Sequence, residues 1–247
     1  MATTAEYLNK LVTQKNTLAD NLVTKGVPAT HDETLETLVP KVLEISGGGN
    51  SGIYPINPET GLPYGDITVG TGIITLVETF KNNKDITSVR FSNDLKTIGN
   101  SAFISCTNLT SVDFAQVEKI DVSAFRYSGI TSAILPETIS EIGLYAFTNC
   151  TSLLSVYIPA SCTYVGWNAF SQDEKLVNIA VGVGFNADLT IAYMGNNQIT
   201  AETINAIIAN YADNSGKTLT LGSNYYAKLS DEDKAVATAK GLTLSTD

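Results

Sequence analysis

The chain has 247 residues, enough for a sizeable core in one large domain or two small ones. Only 16% are charged, against a typical value of about 25%, and 25 acidic residues outnumber 15 basic ones for a formal net charge of -10. That balance argues against a nucleic-acid or anionic-membrane partner, which would need clustered Lys and Arg. No apolar run reaches the roughly 18 to 20 residues of a membrane span, and the start, Met1 to Tyr7, lacks the basic and apolar regions of a signal peptide. The sequence therefore predicts neither membrane insertion nor export through the general secretory route.

Residues 1–46 read as two helices. Ala5 to Lys25 places Leu8, Leu11, Val12, Leu18, Leu22 and Val23 near one side, and Gly26 followed by Pro28 supplies a stop. A second, shorter helix starts around Asp32 or Glu33, carries Leu35, Leu38, Val39, Val42 and Leu43, and ends before Gly47. Pro40 predicts a kink or split near Leu38, because proline removes a helical hydrogen bond and clashes with the preceding turn. Two short amphipathic helices cannot hide their apolar stripes alone. The segment is therefore expected either to assemble chains, with a trimer favoured, or to fold back as a cap on the rest of the chain.

Residues 47–72 change to Gly, Pro, Asn and Tyr, with Pro55, Pro58 and Pro63 close together. This composition predicts an extended linker rather than a packed element.

From residue 73 to 185 one phrase recurs: Ile98-Gly99-Asn100-Ser101-Ala102-Phe103, Ile142-Gly143-Leu144-Tyr145-Ala146-Phe147 and Val165-Gly166-Trp167-Asn168-Ala169-Phe170, with a weaker copy ending at Phe125 and a worn one at Phe80. The last four phenylalanines are spaced by 22, 22 and 23 residues. A period in the twenties with apolar residues at fixed offsets is the signature of a leucine-rich-repeat solenoid. A small residue stands three after the phenylalanine (Cys106, Ser128, Cys150), and an apolar one six after it (Ile86, Leu109, Leu153, Leu176). An alternating pair comes nine and eleven after it: Val89 and Phe91, Val112 and Phe114, Val156 and Ile158, Ile179 and Val181. That alternation predicts a short strand in each turn, stacked in parallel. One residue is missing near Gly129, so Ile130, Ala133 and Leu135 sit one position early. The glycines at 99, 143 and 166 are expected to take backbone angles or close contacts denied to larger residues, with Asp121 the tolerated departure.

Residues 80–181 resemble the BspA-like family of leucine-rich repeats, whose unit is similar to Ile142 to Pro159. The resemblance covers four good turns and one worn one. It implies binding, as in bacterial and protozoan surface adhesins and some phage and prophage proteins, and it brings no catalytic residues. A weaker resemblance, carried by Tyr7 to Leu11 and by Leu35 to Val42, is to leader segments of structural proteins from phages infecting Gram-positive bacteria.

Residues 186–247 alternate strand and helix: a strand over 189–194, a helix over 201–211 with Thr200 as N-cap and Ile204, Ile207 and Ile208 inward, a strand over 219–221, a helix over 231–240 capped by Ser230, and a strand over 242–244. These strands are expected to extend the repeat sheet and seal its end. The fold class is an α/β repeat: a leucine-rich-repeat solenoid with short parallel strands, an N-terminal helical segment and a C-terminal βαβαβ cap.

Residues with chemistry are sparse. His31, the only histidine, sits in a Thr-His-Asp loop, a poor setting for a triad or metal. Cys106 and Cys150 share a repeat position two turns apart, and at roughly 4.8 Å per turn their alpha carbons lie about 9.5 Å apart, beyond bridging reach. Cys162 is off that column, so three free buried thiols are expected. Asp231, Glu232 and Asp233 open a helix, where carboxylates are expected for dipole reasons. No catalytic residue, metal or cofactor is expected.

One surface feature rises above this. The position three before each phenylalanine runs Asn100, Val122, Leu144, Trp167, with Tyr145 beside it, and the outward strand position runs Arg90, Asp113, Ile134, Tyr157, Ala180. Leu144, Tyr145, Tyr157 and Trp167 form the candidate binding surface, although packing on a loop or sister subunit would also account for them. Together with the resemblances, this points to a phage or prophage virion component, a tail-fibre or receptor-binding protein, that meets a host-surface glycan or protein and joins other virion proteins through residues 1–46. The alternative is a bacterial surface adhesin.

Overall fold

Two series of short parallel strands, repeated turn after turn, build the described part of the molecule. The computed structural model describes residues 62–70, 75–194 and 198–246, together with residues 16, 30, 57 and 73. The helices expected within residues 1–46, and His31, lie outside the described residues. The chain divides into two compact units, residues 1–53 with 69–73 and residues 54–68 with 74–247, and the larger holds the repeats.

The first series is β1 (Gly65–Val69), β3 (Ile86–Phe91), β5 (Ser111–Asp113), β7 (Ser132–Ile134), β9 (Ser155–Ile158) and β11 (Asn178–Val181). The second is β2 (Thr75–Leu76), β4 (Thr97–Ile98), β6 (Lys119–Ile120), β8 (Glu141–Ile142) and β10 (Tyr164–Val165). The repeat offset sets the register, since Val89 pairs with Val112, Val156 with Ile179 and Ile120 with Ile142, so equivalent residues stack. Most of the expected strand pairs are therefore inward: Val89, Phe91, Phe114, Val156, Ile158, Ile179 and Val181 are buried, while Val112 is only half-buried.

The second series runs unbroken as a five-stranded sheet, but the first splits into β1-β3-β5 and β7-β9-β11. The split falls at the shortened turn. With one residue missing, the chain crosses Thr107 so closely that a Cβ at Gly129 would stand 2.2 Å from the Thr107 carbonyl oxygen. Ile130, Ala133 and Leu135 still reach the core from their early positions.

β1 corrects the linker expectation. Residues 65–69 form a strand of the first sheet, with Ile67 buried between exposed Asp66 and Thr68. Period-two alternation in Asp-Ile-Thr-Val outweighs the surrounding Gly and Pro. Asp66 fixes the strand by accepting hydrogen bonds from Thr87 and Ser88, at 3.0 and 2.7 Å.

The core of each turn is its phenylalanine. Phe80, Phe103, Phe125, Phe147 and Phe170 stack at 5.1 to 5.3 Å between centroids. Beside them run Cys106, Ser128 and Cys150, and a second column of Leu95, Val117, Ile139 and Cys162, all buried. The thiols are free, and Cys106 and Cys150 donate to the carbonyls of Phe80 and Phe125.

Around each phenylalanine the backbone enters the left-handed region twice, two residues before and two after: Ser101 and Ser105, Ser123 and Tyr127, Tyr145 and Asn149, Asn168 and Gln172, at φ between 55° and 61°. The alternation turns every second N–H toward the next turn, as where Ser101, Phe103 and Ser105 donate to Val122, Ala124 and Arg126. Gly99, Gly143 and Gly166 are needed for proximity instead. None has a positive φ, and a Cβ at Gly143 would lie 2.7 Å from the backbone of Asp121 and Val122. Asp121 likewise keeps an ordinary φ, so backbone tolerance is not the reason it fits.

After β11 come β12 (Leu189–Thr190), α1 (Ala201–Asn210), β13 (Thr218–Thr220), α2 (Ser223–Tyr226), α3 (Asp231–Ala239) and β14 (Thr243–Ser245). Thr200 and Ser230 cap α1 and α3, the latter in a full capping box. Three features depart from the expectation. β12 is shorter than 189–194, α2 is additional, and the three strands form their own parallel sheet instead of extending the repeat sheet. The reason lies at the end of β11, where α1 packs. Its Asn210 side chain donates to Val181 O at 2.7 Å, and Gly184 N donates to Asn210 O.

Candidate functional site

The left-handed positions flank each buried phenylalanine at a bulge, and both what fills them and how far it reaches solvent differ along the stack: Ser101 and Ser123 are buried, whereas Tyr127 is exposed. In the second turn they carry Ser101 and Ser105. In the third, Tyr127 takes the second position, and in the fourth, Tyr145 takes the first. A bulky aromatic is a poor choice at positive φ, where Asn and Asp are favoured. Both tyrosines are choices that the repeat geometry does not require.

These rings join into one row. Arg126 lies over the Tyr127 ring at 4.8 Å and the Tyr145 ring at 5.6 Å, and its Nη2 donates to the Tyr127 hydroxyl at 3.1 Å. Tyr145 meets Trp167 edge-on at 6.2 Å, and Trp167 meets Tyr193 in the same way at 6.5 Å. Trp167 is 55% exposed, Tyr193 51% and Tyr127 43%. Leu144, partly exposed, borders the row from the position before Tyr145. The four bulges 100–105, 122–127, 144–149 and 167–172 contain no carboxylate, and Arg126 is their one formal charge.

Of the residues anticipated from the sequence, Leu144, Tyr145 and Trp167 thus lie on one face. Tyr157 stands elsewhere, on β9, pairing in register with Ile134 and Ala180. Its hydroxyl donates to Glu137 at 2.9 Å, a bond to the neutral phenol that pushes its pKa up. With Ile134, Ala180 and Glu202, Thr203 and Ala206 of α1 it lines a groove of about 440 Å3. Both positions face outward, but Tyr157 does so from a strand and Trp167 from the turn that follows β10.

Tyr127, Arg126 and Tyr193 were not anticipated. Tyr127 was visible as an aromatic where the other turns have Ser, Asn or Gln. Tyr193 lies past the last phenylalanine repeat, where the period no longer indicates what stacks on Trp167.

Asp173 is a further such residue. It occupies the position of Cys106, Ser128 and Cys150 in the turn after Phe170, fully buried, and accepts the Cys150 N–H at 2.7 Å through Oδ1 while Oδ2 has no hydrogen-bond partner. Burial pushes its pKa up to about 9. Burial also raises the Cys106 thiol to about 12 and the Cys162 thiol to about 11, far from a reactive thiolate. The helix-start carboxylates are engaged locally. Asp233 accepts from Ser230 N and Asn205, which holds its pKa down, and Asp231 pairs with Lys234 at 3.7 Å. Among the described residues no three His, Cys, Asp or Glu gather as a metal site, and no helix is long and apolar enough to cross a membrane.

The family model described as "BspA type Leucine rich repeat region" matches residues 77–199 in six copies. No curated protein matches the chain. Among solved structures, a leucine-rich repeat protein of T. pallidum is 18% identical, with a TM-score of 0.51 over 79% of this chain and 95% of its own. A leucine-rich repeat protein from Bacteroides ovatus is 18% identical, with a TM-score of 0.44 over 69% of this chain and 54% of its own. The pneumococcal vaccine antigen PcpA is 14% identical, with a TM-score of 0.37 over 70% of this chain and 65% of its own. At these identities the first likeness shows a common fold, and neither the family model nor these three structures supports the resemblance to phage tail proteins.

Proposed function

We propose that this chain, whose residues 77–199 are BspA-type leucine-rich repeats, is a non-enzymatic binding protein of the surface-adhesin kind that engages its partner through the row Tyr127, Tyr145, Trp167 and Tyr193. One observation carries the reading: two tyrosines occupy left-handed positions where the scaffold favours small polar residues, and they continue into exposed Trp167 and Tyr193. Aromatic area held in water against its own backbone preference is explained by contact with something outside the chain. The surface reading replaces the virion reading, which has no relative behind it. A role for residues 1–46 in joining chains accompanies the proposal, and light scattering on the full chain tests it, an oligomer supporting assembly and a monomer refuting it.

The binding test uses the fluorescently labelled full chain on cultured epithelial cells and on Gram-positive bacterial cells. Saturable binding to at least one surface, reduced about tenfold or more in Trp167→Ser/Tyr193→Ser, supports the proposal. Failure to bind either surface, or equal binding by parent and variant, refutes it.

A further inference from the structure

We infer that the aromatic row is a binding platform for a neutral, β-linked glycan chain. The inference rests on the binding reading above and assigns the ligand class. The rings are fixed before any ligand arrives, with Arg126 holding Tyr127 and Tyr145 and edge contacts joining Tyr145, Trp167 and Tyr193. Side chains immobilised in advance lose little entropy on binding.

Charge selects against the commoner partners. The chain carries a net charge of -10, yet the four bulges that carry the row hold no carboxylate and no lysine. Their one cation, Arg126, is engaged with two rings. An acidic ligand would meet only Arg126, already shared between two rings, and a basic one would meet no anion. What remains is polar and uncharged: the amides of Asn100, Asn149 and Gln172, and the tyrosine hydroxyls. A pyranose matches both halves of this surface, its C–H face stacking on the rings and its hydroxyls bonding to the amides.

Size and spacing agree. Four aromatic side chains of about 150–250 Å2 each, three of them roughly half exposed and Tyr145 less so, offer on the order of 350 Å2, short of the ~800 Å2 per partner of a stable protein dimer. Stacked turns advance by the 5.1 to 5.3 Å that separates their phenylalanines. That is close to the advance per ring of an extended β-linked chain, while the surface rings themselves stand 6.2 and 6.5 Å apart and nearly perpendicular, so a sugar chain following the turns meets ring faces and ring edges in alternation.

Trp167 is the only tryptophan and reports directly on the platform. Cellohexaose, xylohexaose and chitohexaose are titrated into the full chain while its fluorescence is followed. At least one should give a saturable change below about 10 mM. Tyr145→Asn, which places a residue better suited to positive φ, should weaken that binding about tenfold while leaving the urea midpoint unchanged or raised. A merely structural role for Tyr145 would not separate the two readouts in this way. Ile134→Ser, on the other face, should leave the affinity unchanged. No saturable change with any of the three sugars overturns the inference, as does equal affinity of Tyr145→Asn and the parent. Concentration-dependent self-association that alters Trp167 emission without sugar also overturns it. If sugar binding is absent while cell binding still depends on Trp167 and Tyr193, the glycan assignment falls and the adhesin reading stands.

Discussion

Replacing Phe147 by alanine removes the middle of the stack. The ring is fully buried, 5.3 Å from Phe125 and 5.1 Å from Phe170, with Phe114 edge-on at 6.5 Å. Truncating a buried phenylalanine costs about 3–5 kcal/mol, and two stacked neighbours at about 0.5–1.5 kcal/mol each place Phe147 at the upper end. Phe170→Ala is the internal comparison. Phe170 is buried and, among the described residues, its one ring contact is Phe147 at 5.1 Å, so its loss should cost about 3 kcal/mol. In a unit of this size a kilocalorie moves the melting temperature by about 2–4 °C, so Phe147→Ala should lower it by about 10–20 °C and Phe170→Ala by about half as much. Thermal melts followed by circular dichroism measure both. A Phe147→Ala melt within about 2 °C of the parent, or a larger loss at Phe170 than at Phe147, would refute the nearest-neighbour account of the stack.

Other perturbations read other parts of the scaffold. Gly143→Ala brings a Cβ 2.7 Å from the Asp121 and Val122 backbone, which no rotamer relieves, and should cost about 1–3 kcal/mol in a urea titration. Asp173, held near 9 by burial, keeps a proton that the unfolded chain releases at about pH 4. Native protein then binds more protons than unfolded, so stability falls as pH rises from about 4 to 9, and urea midpoints across that range should fall less steeply in Asp173→Asn. Cys106, Cys150 and Cys162 should resist iodoacetamide in the native state and all react after denaturation, as mass spectrometry would show. A mass two daltons low from an intramolecular bridge would contradict the stacked placement.

The repeat made each turn legible from within. Phe103 and Phe147 announce the core because every turn buries the same residue against its neighbours, and the early Ile130 and Leu135 come out of simple counting. What depends on the neighbouring element was harder to read. The period shows that Trp167 faces out, but Tyr193 meets it edge-on only after the period has lapsed. Tyr157 and Trp167 both read as outward, and repeat arithmetic does not reveal that one lies on a strand and the other on the turn after β10. β1 was hidden by the prolines before it, although Ile67 kept its alternation. Asp173 sits where the column of small buried residues predicts another of its kind, and only the packing shows that a carboxyl can take that place in protonated form.

Hydroxyl-radical footprinting of the full chain, free and bound to the cells it recognises, bears most directly on the claim that the aromatic row is the binding surface. Trp167, Tyr193 and Tyr127, all exposed in the free chain, should become protected on binding, while Tyr164 and Ile134 remain as reactive as before. Protection at Ile134 and Tyr157 with Trp167 unchanged would contradict that claim and move the binding surface to the groove beside α1.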